Sequence, residues 1–269
     1  MTSNELETIC HALREAGIDN CANEARWMLE HATARQLSPE ETQELVQRRC
    51  HGEPFQYVLG NTEFYGLELS VGPGVLIPRP ETEELVEHAL AALRQWPLDG
   101  DILDLCTGSG AIALALAAAC PDRAVLATDI SPDALAWAVR NRDALGLANV
   151  TLLQSDLFEN LPPGRRFGLL TANPPYVSPD EYDVLPCVVR DYEPRTALLA
   201  DEDGLRFYRL IADQARDWLL PGAGVFLEIG ASQGDAVRGI FLRSGYDHVD
   251  ILQDLSGRDR ILRARRPAL

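Results

Sequence analysis

Residues 101–129 read DILDLCTGSGAIALALAAACPDRAVLATD, and this stretch decides the predicted fold. The apolar segment 101–105 predicts a short strand, which leads into a turn with two glycines. The Ala-rich run 111–119 then predicts a buried helix, and residues 124–128 predict a second strand that ends at an aspartate. Strand, glycine turn, helix and strand in this order are typical of a parallel α/β unit.

The same alternation continues to the end of the chain. Ser131 is a predicted N-cap, with Pro132 at the first helical position and Gly146 after the helix end. Further strands are predicted at 150–154, 167–172 and 224–229, further helices at 132–145, 205–219 and 233–243, and two closing strand-like segments at 248–253 and 260–265. The pattern predicts a doubly wound, mostly parallel sheet with a terminal antiparallel hairpin.

The first 52 residues predict a small bundle of three helices. Asn4 and Glu7 have the spacing of a capping box, and Gly17 follows the end of the first apolar run. The second helix is predicted at 22–33, and the third begins at Ser38, with a proline at its first helical position.

The residue pattern of the sequence changes after the predicted bundle. The alternation over 63–71 predicts a short hairpin. Three prolines between Pro73 and Pro80 predict a stiff connector, which is followed by a helix over 83–93. We therefore expect an N-terminal helical domain with the hairpin, a connector with its helix, and an α/β domain, at residues 1–72, 73–100 and 101–269.

Composition narrows the range of functions. All 24 basic residues are arginines, so a lysine Schiff base and a Walker-type phosphate loop are excluded. The net charge of −17 disfavours broad nucleic-acid binding and suits a protein partner with a basic surface, although it also fits salt adaptation or genome composition. The six cysteines form no CxxC pair, so we expect reduced thiols and no metal site. No apolar run approaches the about 20 residues that cross a bilayer, and no signal layout is visible; we expect a cytoplasmic protein.

The glycine turn is the first candidate site. The segment Cys106-Thr107-Gly108-Ser109-Gly110 lets a ligand approach the backbone at a helix N-terminus. Asp129, which follows the next strand, is placed to hold both hydroxyls of a ribose. Dinucleotide enzymes share this layout, but Ala113 stands where their third glycine belongs, which favours S-adenosylmethionine.

A second candidate site ends the third strand of the α/β pattern. Asp156 is placed to accept a hydrogen bond from an exocyclic amine, and either Leu157 or Phe158 is placed to cover a ring face. An ordinary turn from strand to loop, with an Asp cap and a Phe in the core, would have the same sequence pattern.

The third candidate site is Asn173-Pro174-Pro175-Tyr176, directly after the fourth strand. Two prolines fix the backbone, so the Asn173 side-chain oxygen and the Pro174 carbonyl become paired acceptors. Paired acceptors suit an –NH2 group and orient it for in-line displacement at a sulfonium. Tyr176 adds a flat wall for the target group. We expect Asn173, Pro174 and Tyr176 to be catalytic.

These motifs resemble those of Class I S-adenosylmethionine-dependent methyltransferases, and more closely those of the release factor glutamine methyltransferase family. The resemblance covers nearly the whole chain, including the stretch 76–83 (LIPRPETE), Glu193-Pro194 and a helical N-terminal domain of the right size. It implies a Rossmann-like fold and methylation of the glutamine side-chain amide (N5) in the Gly-Gly-Gln motif of class 1 peptide-chain release factors. S-adenosylhomocysteine would be the product of the methyl donor.

The resemblance also implies residue roles. The residues that would bind S-adenosylmethionine are Cys106, Thr107, Gly108, Ser109, Gly110, Asp129, Asp156, Leu157 and Asn173. The substrate glutamine would contact Asn173, Pro174, Pro175 and Tyr176. The family often has an aromatic residue where this chain has Leu157. The N-terminal bundle would be either a docking surface for the release factor or a packing cap, and we expect a monomer.

Two other functions remain open at this point. An N6-adenine methyltransferase acting on DNA or RNA shares the tetrapeptide 173–176, but it would need a basic face and usually a target-recognition domain. A non-catalytic adaptor with the same fold would have a degraded glycine turn or a lost tetrapeptide, and both are intact here.

Overall fold

A computed structural model describes residues 3–96, 99–201 and 203–268. The N-terminal segment contains the helices α1 (Ser3–Glu15), α2 (Cys21–Arg35), α3 (Pro39–Cys50) and the short α4 (Phe55–Leu59). Their buried side chains form a separate apolar cluster that includes Leu13, Met28 and Val46. The predicted bundle is therefore present, with one helix more than expected.

The start of α3 follows the sequence prediction, and the start of α1 does not. Ser38 Oγ accepts from the amide of Glu41, whose side chain accepts in turn from the Ser38 amide, so the capping box is complete. Asn4, by contrast, lies inside α1, where its carbonyl accepts from the Thr8 hydroxyl. The predicted capping box at Asn4 and Glu7 is wrong because the helix already includes Ser3.

The rest of the chain forms a seven-stranded sheet, preceded by a hairpin. The strands are β1 (Asn61–Phe64), β2 (Leu67–Ser70), β3 (Asp101–Leu105), β4 (Val125–Asp129), β5 (Val150–Gln154), β6 (Phe167–Ala172), β7 (Leu219–Glu228), β8 (Asp247–Gln253) and β9 (Asp259–Arg265). The helices are α5 (Pro80–Gln95), α6 (Ala111–Ala119), α7 (Pro132–Leu145), α8 (Pro179–Asp183), α9 (Cys187–Arg190), α10 (Arg195–Leu198), α11 (Arg206–Gln214) and α12 (Gly234–Arg243). The sheet order is β5-β4-β3-β6-β7-β9-β8, parallel except at β9, which is antiparallel to β7 and β8. The predicted α/β, doubly wound sheet with a terminal antiparallel hairpin is confirmed.

Successive side chains of a strand point to opposite faces of the sheet. Because both sets are apolar in the central strands, helices cover both faces. On β3, Ile102 packs in one apolar cluster with α5 and α6, whereas Leu103 packs in the other with α11 and α12. Leu169 and Leu170 on β6 divide between the two clusters in the same way. The central strands are thereby buried on both sides.

The β1–β2 hairpin belongs to the packing of the sheet rather than to that of the bundle. Phe64 and Leu69 are buried in the cluster that contains Leu85 of α5. The Asn141 side chain of α7 also bonds both the amide and the carbonyl of Ser70. The hairpin itself agrees with the predicted alternation, while the division of the chain at residues 72 and 100 stays a prediction.

Several element boundaries differ from the sequence prediction. The helix α5 begins at Pro80 instead of residue 83, because proline is suited to the first helical turn. The helix predicted to reach residue 219 ends at Gln214 and gives way to a 3-10 turn, after which β7 begins at Leu219. The three short helices α8, α9 and α10 were not predicted, because each offers too few residues for a periodic pattern.

Within the described ranges, no helix is both long and apolar enough to cross a membrane. The same residues contain no group of three His, Cys, Asp or Glu side chains placed to hold a metal ion. All six cysteines are free thiols, and the sulfur atoms of Cys10 and Cys21 lie 3.4 Å apart inside the bundle.

Candidate active site

A cavity of about 320 Å³ lies at the carboxyl edge of the sheet, where β3, β4 and β6 end. The chain runs outward from β3 through β4 to β5 and then returns to β6 on the other side of β3. This is the switch point at which open α/β sheets bind ligands. The residues of the three candidate sites that line the cavity are Cys106, Thr107, Gly108, Ser109, Asp129, Asp156, Leu157, Asn173 and Pro175.

The glycine turn shapes one wall of this cavity. Gly108 has φ 57° and its amide donates to Asp129 Oδ2 over 2.8 Å. A Cβ at Gly108 would stand 3.8 Å from Val75 Cγ2, so the glycine turn comes close to the segment around Val75. Gly110 (φ 87°) is not among the lining residues; it is the N-cap of α6, and a Cβ there would stand 3.0 Å from Leu114 Cδ1. Its predicted cofactor contact stays a prediction.

Asp129 is fixed by the backbone rather than by a basic side chain. Besides the bond from Gly108, its Oδ1 accepts from the Ser131 amide over 2.9 Å. Burial raises the pKa of Asp129, although these two amide bonds act in the opposite direction. The carboxylate is thus held rigidly at the end of β4, where a ligand hydroxyl would meet it.

Two residues at the cavity have a left-handed backbone without being glycine. They are Cys106, with φ 55°, and Leu157, with φ 45°. Such conformations cost free energy and are concentrated at ligand sites. Leu157 lines the cavity, whereas Phe158 is buried in the core and stacks on Trp218 at a centroid distance of 6.5 Å. Of the two candidates for covering a ring face, Leu157 therefore lines the cavity, and Phe158 does not replace it.

The charge around the glycine turn is negative. Burial, followed by the charges of Asp129, Asp104 and Asp156, raises the pKa of the Cys106 thiol well above its usual value. Such surroundings disfavour a thiolate and favour a ligand that carries positive charge.

The tetrapeptide 173–176 follows β6, which is the neighbour of β3 in the sheet, so it lies at the same edge as the glycine turn. Asn173 follows β6 directly, and Asn173 and Pro175 line the cavity. Pro174 is buried outside the lining, and Tyr176 is half-buried against the core with its hydroxyl 3.5 Å from Glu228 Oε1. The predicted contacts of Pro174 and Tyr176 with substrate therefore stay predictions.

Two residues next to Asn173 were not predicted as part of the site, and one of them, Thr82, also lines the cavity. The Thr82 hydroxyl donates to Glu228 Oε2 over 2.5 Å, and Asn173 Nδ2 donates to Thr82 Oγ1 over 3.4 Å. Both Thr82 and Glu228 are buried. Burial raises the pKa of Glu228, against the hydrogen bond from Thr82 and the nearby positive charge of Arg260. Each residue had a signal in the sequence: Thr82 lies in the stretch 76–83, and Glu228 is an acid at the carboxyl end of an apolar strand.

The segment 74–79, here called the strap, forms the outer wall of the cavity. Buried Glu193 holds it, because its carboxylate accepts from the Ile77 amide over 3.0 Å and from Arg79 over 2.5 Å. The Tyr57 hydroxyl donates to the carbonyl of Val75. The ion pair between Arg79 and Glu193 thus connects the strap to the loop between α9 and α10.

Comparisons with known proteins agree with this architecture. Residues 82–190 match the family model "Methyltransferase small domain", and residues 6–60 match "PrmC N-terminal domain". A methyltransferase structure from Pyrococcus furiosus is similar in fold, with a TM-score of 0.55 and 20% identity, over 75% of this chain and 90% of that chain.

Two curated proteins named release factor glutamine methyltransferase are more similar in sequence. The protein from Salmonella typhimurium is 48% identical, over 81% of this chain and 77% of that protein. The protein from Geobacter sulfurreducens is 42% identical, over 94% of this chain and 92% of that protein. Because these alignments cover 81–94% of this chain at 42–48% identity, the chain belongs to the release factor glutamine methyltransferase family.

Proposed function

We propose that this chain transfers a methyl group from S-adenosyl-L-methionine to the side-chain amide nitrogen of the glutamine in the Gly-Gly-Gln motif of class 1 peptide-chain release factors. One observation carries the proposal: Asn173 and the glycine turn line a single cavity at the switch point of the sheet. Membership of the family named for this reaction supports the same substrate.

The donor set of the cavity fits S-adenosylmethionine. Asp129, held by two backbone amides, would accept the ribose hydroxyls, and Leu157 would flank the adenine beside Asp156. The acidic surroundings of the glycine turn suit the positive charge of a sulfonium. Residues 106–110 would contribute backbone amides, and their two glycines would let the cofactor come close to the backbone. Bound there, the cofactor supplies a methyl group activated by that sulfonium.

The chain's own contribution to the reaction is orientation. An amide nitrogen is a weak nucleophile, because its lone pair is delocalised into the carbonyl. Asn173 Oδ1 and the Pro174 carbonyl would accept its two hydrogens and fix the nitrogen in line with the methyl group. Pro175 and Tyr176 would complete the pocket for the glutamine side chain. The alkylated nitrogen would lose its proton to water, so no general base is required.

The partner and the setting follow from the same proposal. Residues 1–72 would form the docking domain for the release factor, residues 73–100 a connector, and residues 101–269 the methyltransferase domain. The net charge of −17 suits a basic protein surface better than nucleic acid. We propose a monomer that works in the cytoplasm, where its substrate is found.

Mass spectrometry of a class 1 release factor incubated with this protein and S-adenosylmethionine tests the proposal. We expect a gain of one methyl group on the Gly-Gly-Gln glutamine. The gain should disappear with Asn173→Ala and with a release factor whose loop glutamine is replaced. Transfer to DNA or RNA instead would establish the N6-adenine alternative. Cofactor binding without transfer to any of these acceptors would refute the proposed substrate.

A further inference from the structure

The orientation of the Asn173 side chain is the feature on which amide recognition depends. An Asn side chain presents an acceptor (Oδ1) on one side and a donor (Nδ2) on the other, and the two are nearly isosteric. Only the acceptor can bind a hydrogen of the substrate –NH2 group. A flipped Asn173 would turn its own –NH2 group toward that of the substrate.

The buried pair behind Asn173 decides which way its amide faces. The Thr82 hydroxyl has one hydrogen, and it is given to Glu228 Oε2 over 2.5 Å. An ionised carboxylate accepts and cannot donate, so Thr82 Oγ1 is left with only lone pairs for Asn173. The group of Asn173 that faces Thr82 must then be the donor Nδ2, as the 3.4 Å contact shows.

The groups around Glu228 favour a carboxylate that accepts hydrogen bonds and does not donate one. Its other oxygen, Oε1, lies 3.5 Å from the Tyr176 hydroxyl, which is also a donor. Burial raises the pKa of Glu228, whereas the hydrogen bond from Thr82 and the positive charge of Arg260 act in the opposite direction. Thr82 and Glu228 come from α5 and β7, and the packing of these two elements in one apolar cluster holds the pair in place.

We infer that Thr82 and Glu228 are positioning residues that lock the Asn173 amide with Oδ1 toward the substrate. This inference rests on the proposed function, because it assigns the lock to amide recognition in the same site. Neither residue needs to touch the substrate for the lock to operate. A hydrogen-bond chain that runs from β7 through α5 to the end of β6 would set the polarity of the acceptor.

Isosteric variants test the lock through kinetics. Thr82→Val removes the hydroxyl at nearly constant shape, and Glu228→Gln lets residue 228 donate as well as accept. For both we expect kcat to fall about 10- to 100-fold, with the KM for S-adenosylmethionine changed less than about threefold. Thr82→Ser restores the hydroxyl and should recover kcat to within about threefold of the parent. Tyr246→Phe, which removes a buried hydroxyl outside this network, should leave kcat unchanged.

A second readout does not depend on methyl transfer. The side-chain amide of Asn173 can be assigned in a ¹H–¹⁵N spectrum by its absence from Asn173→Ala. We expect slower hydrogen exchange at Nδ2 in the parent and in Thr82→Ser than in Thr82→Val and Glu228→Gln. Circular dichroism and binding of S-adenosylhomocysteine would show that each variant is folded. If Thr82→Val does not fold, Glu228→Gln carries the test with both readouts.

The outcomes separate the two proposals. A parent enzyme that methylates no release factor refutes the proposed function, and the exchange measurement still decides whether the lock exists. A parent that is active, with variants of unchanged kcat and unchanged Nδ2 exchange, overturns the lock. A loss of kcat in Thr82→Val that Thr82→Ser does not recover also overturns it, because the effect would then be one of packing.

Discussion

At the scale of single residues, the site combines backbone restraint with buried charge. Asp104, near the end of β3, is fully buried, and its Oδ1 accepts from the Thr171 hydroxyl over 2.7 Å. No described residue bonds its other oxygen, Oδ2. Burial raises the pKa of Asp104 to about 7, against the bond from Thr171 and the nearby Thr107 hydroxyl. Asp104, which lies two residues before the glycine turn, therefore lowers the stability of the chain when it is ionised.

This burial gives a pH-dependent prediction for Asp104→Asn. An unfolded Asp has a pKa of about 3.9, so the folded chain binds the proton more tightly and loses stability as the pH rises from about 4 to about 7. The Asn side chain does not ionise, so the variant does not lose stability in this way. We expect the free energy of unfolding of the variant, relative to that of the parent, to rise by about 2–3 kcal/mol between pH 5 and pH 8, measured by urea denaturation. A difference between variant and parent that is the same at both pH values would contradict this reading.

At the scale of elements, the strap is a cavity wall whose position is fixed by one buried carboxylate, that of Glu193. Glu193 is 1% exposed at its side chain, and it satisfies the Ile77 amide as well as Arg79. A backbone amide that loses its partner in a buried position costs free energy. The position of the strap at the cavity therefore depends on a residue from the loop between α9 and α10.

Loosening the strap should affect stability and cofactor binding together. For Glu193→Gln we expect the free energy of unfolding to fall by about 1–3 kcal/mol and S-adenosylhomocysteine to bind more weakly. Urea denaturation and titration calorimetry would measure the two effects. Asp250→Asn is the matched control, because the Arg263–Asp250 pair is exposed and should contribute at most about 1 kcal/mol. Unchanged cofactor binding in Glu193→Gln would show that the strap does not depend on this carboxylate.

At the scale of the whole molecule, the excess of acidic residues is the dominant property. The 41 Asp and Glu residues outnumber the 24 arginines and give the net charge of −17. Repulsion among like charges opposes the compact state, and salt screens it. The same charge would draw a basic partner surface toward the protein.

Screening gives a prediction for the intact chain. We expect Tm near neutral pH to rise by several degrees between about 0.05 M and about 0.5 M NaCl, in a thermal melt followed by circular dichroism. The rise should shrink toward pH 5 as carboxylates become protonated. KCl should act like NaCl, because screening depends on ionic strength. A Tm that falls with salt would mean that the ion pairs of the fold outweigh its overall repulsion.

The sequence alone determined which strands and helices the α/β part contains and their order along the chain. The alternation of apolar strands and helices, the two glycines after β3 and the Ser131 cap are local signals, because each depends on residues within one or two turns of chain. The same signals led to the carboxyl edge of the sheet as the site. They failed at α1 and at the short helices, where the local pattern was weak or too brief.

Only the tertiary structure decided which side chains complete the site. Thr82 and Glu228 are 146 residues apart in the chain, and Ile77 and Glu193 are 116 apart, yet each pair is joined by a hydrogen bond. The stretch 76–83 and Glu193-Pro194 stood out in the sequence, but no periodicity showed which residues would meet, because sheet order and helix packing bring them together. Phe158 shows the reverse: a residue that the sequence placed near the ligand lies in the core, because packing against Trp218 determines its direction.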